Sequence, residues 1–127
     1  MIDALKEQIR RRETVFIDTN LFILLLTGLI DRRLVAKFKR TQHYNEQDFD
    51  ILADMLESAK RVCVTTQVLT ETDNLIRQLP DRHHAVVATI MRNLFDSWIE
   101  IYRPSKELLG AGDHMGFGLT DAILIQA

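Results

Sequence analysis

The sequence predicts an α/β fold in which a parallel sheet is surrounded by helices. Short β-branched and apolar segments occur three times, as "VFI" at 15–17, "RVCVT" at 61–65 and "WIEIY" at 98–102. Helical periodicity fills the gaps: Phe49, Leu52, Met55 and Leu56 precede the second segment, and Val68, Thr72, Leu75, Ile76 and Leu79 follow it. Strands alternating with helices imply βαβ crossovers, and crossovers imply parallel pairing. The 127 residues suit one domain, 1–127, with a single core.

Composition narrows the function classes. With 46% hydrophobic and 27% charged residues, the chain reads as globular rather than disordered or fibrous. A net charge of -2 gives no global pull toward nucleic acid or membrane. The charge is uneven, however. Arg32, Arg33, Lys37, Lys39 and Arg40 form a basic run without acids, and Glu46, Asp48, Asp50, Asp54 and Glu57 an acidic run without bases. The single cysteine, Cys63, excludes an intrachain disulfide and fits a reducing, cytoplasmic setting. Leu21 to Ile30 falls short of the roughly 20 apolar residues that span a bilayer. Arg10, Arg11 and Arg12 before an apolar stretch mimic a signal peptide, but Glu13, Asp18 and Asn20 interrupt the apolar region and rule that reading out.

The elements follow in order. Ile2, Leu5 and Ile9 predict a helix over 2–12. Val15 to Ile17 is a buried strand. Thr19 or Asn20 is expected to cap a helix starting near Leu21, apolar on nearly every side and therefore buried. Gly28 marks its end or a bend. The basic run 32–40 is expected to be helical, and Asn45 to cap a helix through Ser58. After the second strand, Thr65 or Thr66 caps a helix to about Gln78, and Asp81 opens another to about Phe95. A short helix is expected from Ser105. Gly110, Gly112, Gly116 and Gly118 loosen the next stretch, and "LTDAILIQA" is expected to be a final apolar helix.

Three acids stand at the starts of helices. Asp18 ends the first strand, between two apolar runs. At 100° per residue, Glu71 sits between Val68 and Leu75, at the edge of the apolar face of its helix. Asp121 falls in the first turn of the last apolar segment. In open parallel sheets, ligands bind beyond the carboxyl ends of the strands, where Asp18 lies. Clustered carboxylates repel one another by about 4 kcal/mol at 4 Å and an effective dielectric of 20. A hard divalent cation removes that penalty, and an all-oxygen donor set suits Mg²⁺ or Mn²⁺.

"VFIDTN", "VLTET" and "GLTDAILIQA" together resemble the three acidic motifs of the PIN-domain ribonucleases, many of whose small members are VapC toxins. The resemblance spans almost the whole chain. It implies a parallel sheet wrapped by helices and Mg²⁺ or Mn²⁺ held by Asp18, Glu71 and Asp121. It further implies supporting roles for Thr19, Asn20 and Thr120, cleavage of single-stranded RNA, and a partner antitoxin. The family usually carries further strands and a fourth acid beyond the third motif. The chain ends at Ala127, and Asp113 does not match that position, so the domain is expected to lack the last strands. Such a form is expected to self-associate through its apolar carboxyl-terminal helix and to cleave poorly.

Other residues carry weaker signals. Arg32, Arg33 and Lys37 are candidates for phosphate contact, which needs no sequence information, although a solvated helix face explains them as well. His83 and His84 read as solvated residues, His114 as a loop residue and Cys63 as a buried strand residue. Trp98 and Tyr102 share one face of the third strand, which predicts core packing ahead of base stacking. Two rival functions remain. One is a PIN-like module that binds RNA or protein without cleaving. The other is an aspartyl-phosphate phosphatase on Asp18, which lacks its D-x-D-x-T pattern here because Asn20 and Phe22 occupy the relevant places.

Overall fold

The computed structural model describes residues 14–102 and the backbone of 123–126. Its elements are β1 (Thr14–Ile17), α1 (Thr19–Ile30), α2 (Glu46–Ser58), β2 (Val62–Thr65), α3 (Thr66–Ile76), α4 (His84–Leu94), β3 (Ile99–Ile101) and β4 (Ile123–Gln126). Single turns of 3₁₀ helix lie at Arg32–Leu34 and Asp81–His83. The expected helices over 2–12 and from Ser105, the glycine-rich stretch, Asp113, His114, Thr120 and Asp121 lie outside the described residues.

The sheet order is β3-β2-β1-β4. Strands β1, β2 and β3 are parallel, with Phe16 opposite Cys63 and Cys63 opposite Ile99. This is the α/β arrangement with a small parallel sheet that the strand–helix alternation predicts. The last element departs from it. Residues 123–126 form a strand antiparallel to β1, with Ile123 opposite Ile17, rather than part of an apolar helix. A four-residue apolar run has no periodicity that separates helix from strand. The open edge of β1 offers unpaired N–H and C=O groups that such a run satisfies. Self-association through an apolar carboxyl-terminal helix therefore loses the helix on which it rested.

Helix α1 lies at the centre of the fold. Every residue from Leu21 to Gly28 is buried, and the helix packs against α2, α3 and α4. The buried hydroxyl of Thr27 donates to the Ile23 carbonyl (2.7 Å), which removes the penalty of burying it. Gly28 does not end α1, which continues to Ile30. Its missing side chain leaves room for the Phe49 ring of α2. Asp31 ends the helix in extended conformation and caps the 3₁₀ turn that follows, accepting from the Arg33 N–H. Beyond Leu34 the basic run does not form the expected helix. Val35 and Phe38 are buried, and the buried Thr41 hydroxyl donates to the Val35 carbonyl (2.7 Å), folding the segment into turns. Packing of these few side chains overrides the local helical preference of Lys and Arg.

Asn45 caps α2 as the sequence indicates, and the cap is reciprocal. Its side chain accepts from the Asp48 N–H (2.8 Å), and the Asp48 carboxylate accepts from the Asn45 N–H (3.0 Å). Asn45→Ala is expected to cost about 1 kcal/mol in urea unfolding, with the m-value unchanged. A loss within ~0.3 kcal/mol of zero would mean that packing alone fixes the start of α2.

Between α3 and α4 the chain turns through Pro80, and the helix expected from Asp81 begins as 3₁₀ and becomes α at His84. His84 is not simply solvated. Its Nε2 lies 2.9 Å from the Leu79 carbonyl and 3.1 Å from the Arg77 carbonyl, satisfying groups at the end of α3. Trp98 precedes β3 and packs on Phe22 (ring centroids 5.3 Å apart) and Phe95. Cys63 is buried in β2. Among the described residues, no helix is long and apolar enough to cross a membrane.

Candidate active site

Parallel pairing aligns the carboxyl ends of β1, β2 and β3 on one edge of the sheet. Asp18 follows β1, Thr65 closes β2 and Tyr102 follows β3. Helix α3 starts at this edge, so a residue in its second turn, Glu71, stays near it.

Asp18, rather than Thr19 or Asn20, caps α1. Its Oδ1 accepts from the Leu21 N–H at 3.0 Å. Thr19 and Asn20 are instead the first residues of the helix, Thr19 partly covered and Asn20 exposed. An aspartate at a helix N-terminus meets an unsatisfied N–H and the positive end of the helix dipole, which offsets part of its burial. The offset is incomplete. Burial pushes the Asp18 pKa up, the Leu21 N–H opposes that rise, and the charge of Glu71 adds to it.

Glu71 is exposed, not set at the core boundary. Thr72 and Ile76 carry the buried face of α3, while Gln67, Thr70, Glu71 and Asn74 form a stripe that borders a cleft. The first two acids of the sequence pattern thus lie near enough for the charge of Glu71 to add to the rise at Asp18. The third, Asp121, and its neighbour Thr120 lie outside the described residues. Among the described residues no group of three or more His, Cys, Asp and Glu could hold a metal ion.

Tyr44 is a participant that sequence reasoning missed. Its phenol pKa is raised by burial first, then by the charges of Asp18 and Asp48. It therefore stands close enough to Asp18 to sense its charge, although 26 positions separate them in the chain. No sequence pattern links the two; the turns of 35–44 bring them together.

The basic candidates are partly committed elsewhere. Arg32 forms a two-pronged pair with Asp50 (3.0 and 2.7 Å) and a further contact with Glu46 (3.3 Å). Arg33 forks onto Asp31 (3.1 and 3.0 Å). Both, like Lys37, are exposed. Arg32 thus ties the start of the basic run to the acidic face of α2, while Arg33 is held by Asp31.

No family model, curated protein or solved structure matches this chain.

Proposed function

We propose that the chain is a divalent-cation-dependent ribonuclease of the PIN type, cleaving phosphodiester bonds of single-stranded RNA. One observation carries the reading: a carboxylate with a burial-raised pKa caps a helix at the carboxyl edge of a parallel sheet, within the field of a second carboxylate. That combination destabilises the metal-free protein and is relieved by a hard cation with oxygen ligands. Asp18 and Glu71 would hold Mg²⁺ or Mn²⁺, with Asp121 as the third ligand of the motif. Strand β4 begins opposite Ile17, the residue before Asp18, and its first residue stands two positions after Asp121 in the sequence.

A divalent cation bound there supplies neutralisation of phosphodiester charge and activation of water. The protein supplies orientation. The Leu21 N–H fixes the Asp18 carboxylate before ligand arrives, as outer hydrogen bonds orient metal ligands generally. Glu71 completes the negative pair from the opposite element. Arg32, Arg33 and Lys37 lie by Asp31, at the opposite end of α1 from Asp18, and Arg32 and Arg33 would have to exchange carboxylate partners for phosphate to hold a strand. A module that binds RNA or protein without cleaving is the second reading.

The test is cleavage of a fluorogenic single-stranded RNA in Mn²⁺. Glu71→Gln is expected to lower the rate by about a hundredfold or more, and chelation to abolish it. Cleavage that survives both would overturn the proposal.

A further inference from the structure

Tyr102 was expected in the core, yet it is 73% exposed at the end of β3. It forms one wall of an open cleft of about 410 Å³ whose other wall is the α3 stripe of Thr66, Gln67, Thr70, Glu71 and Asn74. The side chains at 67, 70, 71 and 74 share one helix face because they recur at spacings of three and four.

From this arrangement we infer that the cleft receives an unpaired nucleobase of the RNA strand, stacked on Tyr102 and bonded along its edge by α3, an inference that rests on the ribonuclease reading. Three features select a base over other ligands. Among the described residues the lining contains no Lys or Arg, which disfavours a phosphate there. An exposed aromatic ring offers the sequence-tolerant stacking platform that single-stranded nucleic acid uses. Apart from Glu71, the described lining beside Tyr102 is neutral amides and hydroxyls, which match the donors and acceptors of base edges. Among these, Thr66 donates to Glu100 (3.0 Å) and Thr70 to the Thr66 carbonyl (2.9 Å), which fixes their hydroxyl protons and leaves their oxygens as acceptors. The exposed Asn74 amide presents both donor and acceptor. Glu71 belongs to both the cleft and the acid pair, so a base seated here sets an adjoining phosphodiester beside Asp18.

The experiment uses a single-stranded oligoribonucleotide carrying 2-aminopurine, titrated in EDTA so that binding is read apart from cleavage. Stacking is expected to quench the probe. Tyr102→Ala is expected to lose the quench and about tenfold in affinity, while Tyr102→Phe keeps both. Asn74→Ala is expected to keep the quench and to change the preference among probes of different flanking base. Parallel cleavage assays in Mn²⁺ separate the two readings. If wild type cleaves but Tyr102→Ala binds and quenches as wild type does, the cleft inference fails and the ribonuclease reading stands. If binding depends on Tyr102 but no metal-dependent cleavage occurs, the cleft stands and the ribonuclease reading fails. Absence of oligonucleotide binding, or a Tyr102→Phe variant as weak as Tyr102→Ala, overturns the stacking platform.

Discussion

Asp18→Asn is expected to make the metal-free protein more stable and, on the proposed ribonuclease reading, to abolish RNA cleavage. The amide keeps an oxygen that can accept from the Leu21 N–H, so the cap of α1 survives. What disappears is a negative charge that burial and Glu71 both disfavour. The effect on stability depends on pH in a definite direction. Below the ordinary aspartate value of 3.8, Asp18 carries its proton in folded and unfolded chains alike, and the two proteins differ little. As pH rises through 3.8 and then through the raised folded value, the unfolded chain ionises first, and wild type loses stability that the variant keeps. The gap in melting temperature should therefore open with rising pH and stay open at pH 7. Added Mn²⁺ should reverse the order. A ligand at a hundred times its dissociation constant stabilises by about 2.7 kcal/mol, and the variant should lose most of that gain. Loss of a cation ligand should lower RNA cleavage by about a thousandfold, equivalent to about 4 kcal/mol of barrier. Thermal melts between pH 4 and 8, with and without Mn²⁺, read all of this. Equal stabilisation of both proteins by Mn²⁺ would remove Asp18 from any cation site, whatever the cleavage assay gave.

The parts of this molecule legible in its sequence are those set by local chemistry. Val15 to Ile17, the β2 segment and the Asn45 cap can be read because β-branching and capping act over a few residues. The apolar content of α1 foretells the burial of Leu21 to Gly28. The placing of Asp18 and of the start of α3 on one edge follows from parallel topology, although Glu71 is exposed rather than set at the core boundary. The illegible parts depend on partners distant in the chain. Residues 123–126 take strand form on the free edge of β1, which no feature of "ILIQ" announces. The run 32–40 folds into turns because Val35, Phe38 and Thr41 are buried, while its charges alone favour a helix. Tyr102 lies just beyond β3 rather than within it, so an alternation argument that placed it with Trp98 assigned it the wrong environment.

Gly28 shows how such a distant partner reverses a local rule, and the reversal has a measurable sign. Glycine inside a helix is normally a liability, and replacing it by alanine gains about 1 kcal/mol. Here a Cβ at position 28 would fall on the Phe49 ring, contacting its Cγ as well as its edge atoms. Phe49 is buried and belongs to the packed core, so its ring cannot simply swing into solvent. Forcing an extra methyl into a filled core costs typically 1–3 kcal/mol, and the helix also has to move against α2. Gly28→Ala is therefore expected to lose about 1–2 kcal/mol net in urea unfolding, despite its better helix propensity. Phe49→Ala removes every ring atom on which the new Cβ would fall. It should be destabilising alone, yet the double variant should be more stable than the two single losses added, by about 1 kcal/mol or more. A Gly28→Ala protein stabilised by about 1 kcal/mol would show propensity winning. The close approach of α1 and α2 would then not be what keeps glycine at this position.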